Sequence, residues 1–173
     1  MSFLELAKKR YSCRAYSDKK VEKEKLDLIL EAGRVAPTAR NLQPQRIIVV
    51  QGTEGFEKLG KAANVYKAPL AIIVCCDTSS VWVRPIDTYK TTEVDASIVT
   101  DHMILEATEL GLNSVWICHF KADVLKAEFE LPDNLVPVNI LAIGYGTAEP
   151  KLPDRFDVDR KPISETVFFE SLK

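Results

Sequence analysis

The run PLAIIVCCD, residues 69–77, most narrows what this chain can fold into. It is apolar nearly throughout, without the alternation of a strand that has one wet face. It is also far short of the ~20 residues needed to cross a bilayer. A short, β-branched apolar run of this kind reads as a strand at the centre of a sheet. Three other stretches read as strands: RIIVVQG before it, then SVWIC and VPVNILAIGYG. Helical patterns alternate with them. Phe3 to Lys9 forms a short opening helix, and Leu26, Ile29, Leu30 and Gly33 recur at i, i+3, i+4, i+7 until Pro37 stops the second. FEKLGKAA and ADVLKAEFEL read as further helices. The longest, EVDASIVTDHMILEATELG, carries Val94, Ile98, Val99, Met103, Ile104, Ala107 and Leu110 around much of its surface and ends on Gly111 as a C′ glycine. These alternations predict a mixed α/β or α+β fold.

The length of 173 residues suits one domain able to bury roughly 70% of its unfolded surface. Hydrophobic residues at 46% and charged residues at 28% are ordinary for a globular chain. A net charge of −2 gives no global reason to expect nucleic acid or an anionic membrane as a partner, although a local basic cluster can still take a small anion. The opening MSFLELAKKR lacks the apolar core of a secretory signal. Cys13, Cys75, Cys76 and Cys118 form no C-x-x-C pair, and buried free thiols in a reducing cytoplasm are expected.

Common catalytic signatures are missing. Gly144-Tyr145-Gly146 follows a strand but runs into Ala148-Glu149-Pro150 instead of a helix, against a dinucleotide loop. His102 and His119 lack the acidic spacing of a metal site and read as structural. Ser97, Asp101 and His102 are spaced wrongly for a triad. Ser79 to Lys90 reads as a long loop carrying Trp82 and Tyr89, which fit loop anchors or dimer contacts better than stacking platforms for an acceptor. The tail turns proline-rich and polar after Gly146, yet ends on Val167, Phe168, Phe169 and Leu172. Such residues need burial against this chain's own core or against another subunit.

Near the start, RYSCRAY sets Arg10 and Arg14 around Ser12 where the helical pattern stops. With APTARNLQPQRIIVV, APLAIIV, the DASI of the long helix, GLNSVWICHF, IGYGTAEP and DRKP, it forms a series that resembles the flavin-dependent nitroreductase family over nearly the whole chain. The resemblance implies an α+β fold with a mostly antiparallel central sheet wrapped by helices. It also implies an intertwined homodimer, residues 1–173 as one FMN-binding domain, and a segment from about 150 to 173 reaching over the partner. It further implies a cytoplasmic oxidoreductase that uses NAD(P)H to reduce FMN. The flavin then reduces nitroaromatics, quinones or similar electrophiles by alternating hydride transfer at N5. A flavin store or sensor with little turnover shares the same binding residues, and a redox-inert dimeric scaffold is a third possibility.

By the same resemblance, Arg10 and Ser12 hold the phosphate and ribityl end, Tyr11 between them belongs to the cofactor-binding set, and Arg14 lies near the pyrimidine edge of the ring. A guanidinium fork suits phosphate bidentately. Arg160 and Lys161 match phosphate-binding positions. Pro37, Thr38, Arg40, Asn41 and Gln43 match a loop that the other subunit supplies. Asn64 matches an amide at the ring, and Cys118 and His119 match residues whose backbone approaches N5 and O4. The chemistry belongs to the cofactor, so no protein acid or base is expected. The sequence departs from the family pattern at Tyr11, Gln45, Val158 and His119.

Overall fold

The computed structural model describes residues 1–172. Lys173, the last residue of the expected C-terminal extension, lies outside the described residues. Six α-helices are present among these: α1 (Phe3–Lys9), α2 (Lys23–Val35), α3 (Thr53–Ala62), α4 (Thr92–Glu109), α5 (Ala122–Glu128) and α6 (Phe156–Asp159). Four strands, β1 (Gln45–Val50), β2 (Leu70–Asp77), β3 (Asn113–Ile117) and β4 (Leu135–Gly144), form one sheet in the order β1-β2-β4-β3. Every pairing in it is antiparallel. The fold is α+β, as expected.

All residues of β2 are buried. Leu70, Ile72 and Val74 point into a core built with α2 and α4, whereas Ala71, Ile73 and Cys75 point into a second core under α3 and α5. This two-sided cover is why the run in the sequence shows no alternation. Helix α4 spans the first core with Val99, Met103, Ile104 and Ala107 buried, and α1 lies against it. Among the described residues, no helix is long and apolar enough to cross a membrane.

Two local devices set the frame. Ser2 caps the start of α1 in a reciprocal box with Glu5, and the chain leaves the helix at Arg10, which turns extended while its N–H still donates to Leu6 O at 3.1 Å. Helix α4 ends on Gly111 at φ +77, with Gly111 N–H donating to Thr108 O at 3.2 Å and Leu112 N–H to Ala107 O at 2.8 Å. Nothing lies within 4 Å of a Cβ added at Gly111. The cost of Gly111→Ala is therefore the left-handed backbone alone, about 1 kcal/mol. A fall in melting temperature of about 2–4 °C is expected; an unchanged melting temperature would show that the turn is not held in this form.

Residues Ser79 to Lys90 are not a featureless loop. Arg84 N–H donates to Tyr89 O at 2.8 Å, Val83 and Lys90 form an isolated bridge, and Thr91 N–H donates to Trp82 O at 3.1 Å. The excursion is a small hairpin, stiffened by a two-pronged ion pair from Arg84 to Asp87. Three of the four cysteines are buried and free, but Cys118 is exposed, against the expectation that all four are buried. It follows the last residue of β3, where the chain has already left the sheet. Burial pushes Cys75 up to about 11 and Cys76 up to about 12, so neither is a nucleophile near neutral pH.

Candidate functional site

From Arg10 the backbone is extended and forms an irregular edge beyond β3. Ser12 makes a parallel bridge to Ser114, Cys13 N–H donates to Ser114 O at 2.9 Å, and Tyr16 bridges Gly146 past the end of β4. Exposure alternates here: Cys13 is buried between exposed Ser12 and Arg14. The inward anchor needs close packing. A Cβ on Gly146 would lie 2.7 Å from Asn113 Oδ1 and 2.9 Å from Cys13 Sγ, so only glycine lets the two segments approach. The Tyr16 hydroxyl donates to Cys13 O at 2.7 Å and closes the segment.

The outward side chains line a cavity of about 270 Å³. Arg10, Arg14, Lys151, Arg155 and Arg160 bring five cations to it, against one carboxylate, Asp159, while Tyr11 and Ser12 add hydroxyls. Among the described residues, Arg10, Arg14 and Arg160 make no ion pair with a carboxylate. Burial first, then Arg155 and Arg160, lower the pKa of the Arg10 guanidinium from its ordinary value, with Asp101 opposing them. Uncompensated guanidinium groups crowded in one hollow suit a doubly charged anion.

Asn64 does not line this cavity but stands two residues before Tyr66, which faces Arg14. Its Oδ1 accepts from Tyr66 N–H at 2.8 Å, in a turn where Tyr66 and Lys67 both take left-handed φ values of 57 and 55. The Arg14 guanidinium stands 5.8 Å from the centre of the Tyr66 ring. Lys121 N–H donates to Ala62 O at 3.0 Å, which ties the segment after exposed Cys118 and His119 to the end of α3. A larger groove, about 660 Å³, shares only Asn64 with the expected site residues. Lys161 is exposed and does not line the arginine cavity.

The Pro37–Gln43 loop is elsewhere. It leads into β1 at Gln45, which pairs with Cys76, whereas Ser12 meets Ser114, which pairs with Ile143. The two positions are diagonal corners of the sheet. Four strand spacings across and about seven residues along separate them by roughly 30 Å. In this loop Arg40, Asn41 and Gln43 take left-handed φ values of 53, 57 and 51. Each such residue costs on the order of 1–3 kcal/mol, so the surroundings must fix the shape. Ala39 N–H donates to Asp95 Oδ1 at 2.8 Å and Gln43 N–H to Thr38 Oγ1 at 3.1 Å.

The family model described as Nitroreductase family matches residues 7–65 and 53–145. The chain belongs to the nitroreductase family. A solved nitroreductase family protein from Clostridium difficile 630 is 59% identical with a TM-score of 0.98, the match covering 99% of this chain and 100% of that one. An FMN-dependent nitroreductase from Clostridium difficile R20291 is 31% identical with a TM-score of 0.78, over 96% of this chain and 98% of that one. A Methanothermobacter thermautotrophicus protein, provisionally named NADH dehydrogenase/NAD(P)H nitroreductase, is 34% identical over 92% of this chain and 85% of its own.

In this member of the family, Arg155 did not stand out from the sequence. Its guanidinium donates to Arg10 O at 2.8 Å and Leu152 O at 2.8 Å, and stacks 4.1 Å from the centre of the Phe156 ring. It therefore clamps the segment after β4 onto the N-terminal motif, with Arg160 on the same ring at 5.4 Å. The available signal was the repeat of Asp-Arg in PDRFDVDR, which puts Arg155 and Arg160 at the two ends of α6. Lys151 was missed with it.

Proposed function

We propose that the chain binds FMN with its phosphate in the arginine cavity and acts, as a homodimer, as an NAD(P)H-dependent reductase of nitroaromatics, quinones or similar electron-poor acceptors. The observation that carries the reading is the hollow of five cations facing one carboxylate, beside the Asn64–Lys67 turn. The name of the Clostridium difficile R20291 relative supports FMN. When bound, the flavin supplies the chemistry, taking hydride from the nicotinamide and giving electrons to the acceptor.

The protein's part is binding and electrostatics. Arg10, Arg160 and the Ser12 hydroxyl hold the phosphate end, each charge-assisted hydrogen bond contributing roughly 1.5–3 kcal/mol. Arg14, next to Tyr66, brings fixed positive charge to the ring end, where reduction makes the pyrimidine more negative. Asn64 and the backbone at Cys118 and His119 follow the ring edge. A flavin mononucleotide is shorter than the diagonal of the sheet. The Pro37–Gln43 loop therefore reaches a cofactor in the arginine cavity only from a second copy of the chain. Two surfaces fit that copy: an apolar groove of about 490 Å³ that includes Phe3, Leu28, Val35 and Leu105, and the exposed tail residues Ile163, Phe168 and Phe169.

The test is spectroscopic, then kinetic. Purified protein should carry flavin absorbance or gain it on addition of FMN, one per chain, and should consume NADH or NADPH with menadione or a nitroarene. Protein that takes up no FMN overturns the reading. Bound FMN without consumption of either nicotinamide assigns a storage or sensing role instead.

A further inference from the structure

Asp95 lies in the first turn of α4 and is 1% exposed. A buried carboxylate needs a donor for each oxygen. Oδ1 takes the N–H of Ala39, 56 positions away in sequence, at 2.8 Å, and Oδ2 takes the Thr91 hydroxyl at 2.7 Å. Thr91 is the N-cap of α4, yet its hydroxyl makes no capping bond to the helix. It is turned to Asp95, while its backbone N–H closes the Trp82–Thr91 hairpin on Trp82 O at 3.1 Å. One carboxylate thus joins two loops that have no sequence connection.

We propose that Asp95 is a positioning residue that locks the Pro37–Gln43 loop and the base of the Trp82–Thr91 hairpin into a single unit. The loop is the part that needs such a tether, because Arg40, Asn41 and Gln43 all hold left-handed φ. Its other hydrogen bonds join the loop to itself or to the ends of β1 and β2: Asn41 N–H to Thr38 O, Gln43 N–H to Thr38 Oγ1, and Asp77 N–H to Pro44 O. Asp95 supplies a charged acceptor from the helix behind it. The hairpin then moves with the loop. Where the cofactor reading holds, on which this part of the proposal rests, the joint sets how both are presented to the partner's flavin.

The variants Asp95→Ala, Asp95→Asn and Thr91→Val separate a joint from a merely structural group. Amide exchange of the full-length cofactor-free protein is expected to rise about tenfold or more in residues 38–43 and 82–91 together for Asp95→Ala. The buried second half of α4, Thr100 to Glu109, should be unchanged. Thr91→Val should loosen residues 82–91 alone. Asp95→Asn should stay near the parent, since its amide oxygen still accepts from Ala39 and its NH2 can donate to Thr91 Oγ1, whose proton turns to Trp82 O, now 3.4 Å away. The dissociation constant for FMN should rise about tenfold in Asp95→Ala and stay within about twofold in Asp95→Asn. Faster exchange in one loop only, or equally throughout α4, overturns the joint, and unchanged FMN affinity in Asp95→Ala overturns its part in presenting the loops to the flavin. A parent protein that does not bind FMN overturns the cofactor reading instead, and exchange then decides the joint alone.

Discussion

Replacing Arg10 with alanine is expected to weaken FMN binding by about ten- to a hundredfold while leaving the cofactor-free protein at least as stable as the parent. The two effects have opposite origins. Loss of one or two charge-assisted hydrogen bonds to phosphate removes roughly 1.5–3 kcal/mol from the bound state. In the free protein Arg10 makes no ion pair with a described carboxylate, and burial first, then the crowding of Arg155 and Arg160, lower its pKa against the pull of Asp101. Removing it relieves that crowding. Its backbone oxygen, which accepts from Arg155, is untouched by the substitution. Fluorescence titration with FMN and thermal melts of the free protein measure the two sides. Lys161→Ala serves as the control and should change affinity by less than about twofold, because Lys161 is exposed outside the cavity. A stability loss in Arg10→Ala matching its affinity loss would make Arg10 a fold residue and sink the phosphate assignment.

Much of the fold was legible because it rests on local rules. The interval of Leu26, Ile29 and Gly33 marks the face of α2 that is buried, and Gly111 marks the end of α4 where the backbone turns left-handed. The β2 run reads as central because both its faces are covered. The strand order was not legible. β4 inserts between β2 and β3, so the last strand of the chain pairs with the second, a choice made by long-range packing that no local pattern records. Arg10, Ser12 and Arg14 stood out because they are clustered in RYSCRAY. Arg155 did not, since its importance comes from a contact to Arg10 O across 145 positions. Asp95 opens the DASI that helps carry the resemblance, but its long-range contact was hidden in the same way. On a helical wheel it is one more first-turn acid, and only the fold brings Ala39 to it. Cys118 misled because thiols are buried more often than not, while its place just after β3 puts it outside the sheet.

Removing the residues after Pro162 is expected to weaken the proposed dimer by at least about a thousandfold and to cost FMN affinity with it. Ile163, Phe169 and Leu172 are 76%, 89% and 80% exposed, and Val167 and Phe168 about half exposed, so this chain's own core covers little of them. Chains do not keep five large apolar side chains within eleven residues in water without a surface to receive them. Burial of each contributes roughly 1.5–3 kcal/mol, and ordering the tail takes back part of the sum. If only about 4 kcal/mol survives, the dissociation constant changes about a thousandfold. The truncation leaves Arg160 and the cavity in place, so in the proposed dimer a loss of FMN affinity reports the departure of the partner's Pro37–Gln43 loop. Sedimentation across a range of concentrations reads the association, and flavin fluorescence in the same samples reads the cofactor. A truncated chain that stays dimeric and holds FMN as before would place the second copy on the Phe3, Leu28 and Val35 groove alone. A monomer that still binds FMN with parental affinity would remove the loop from the site altogether.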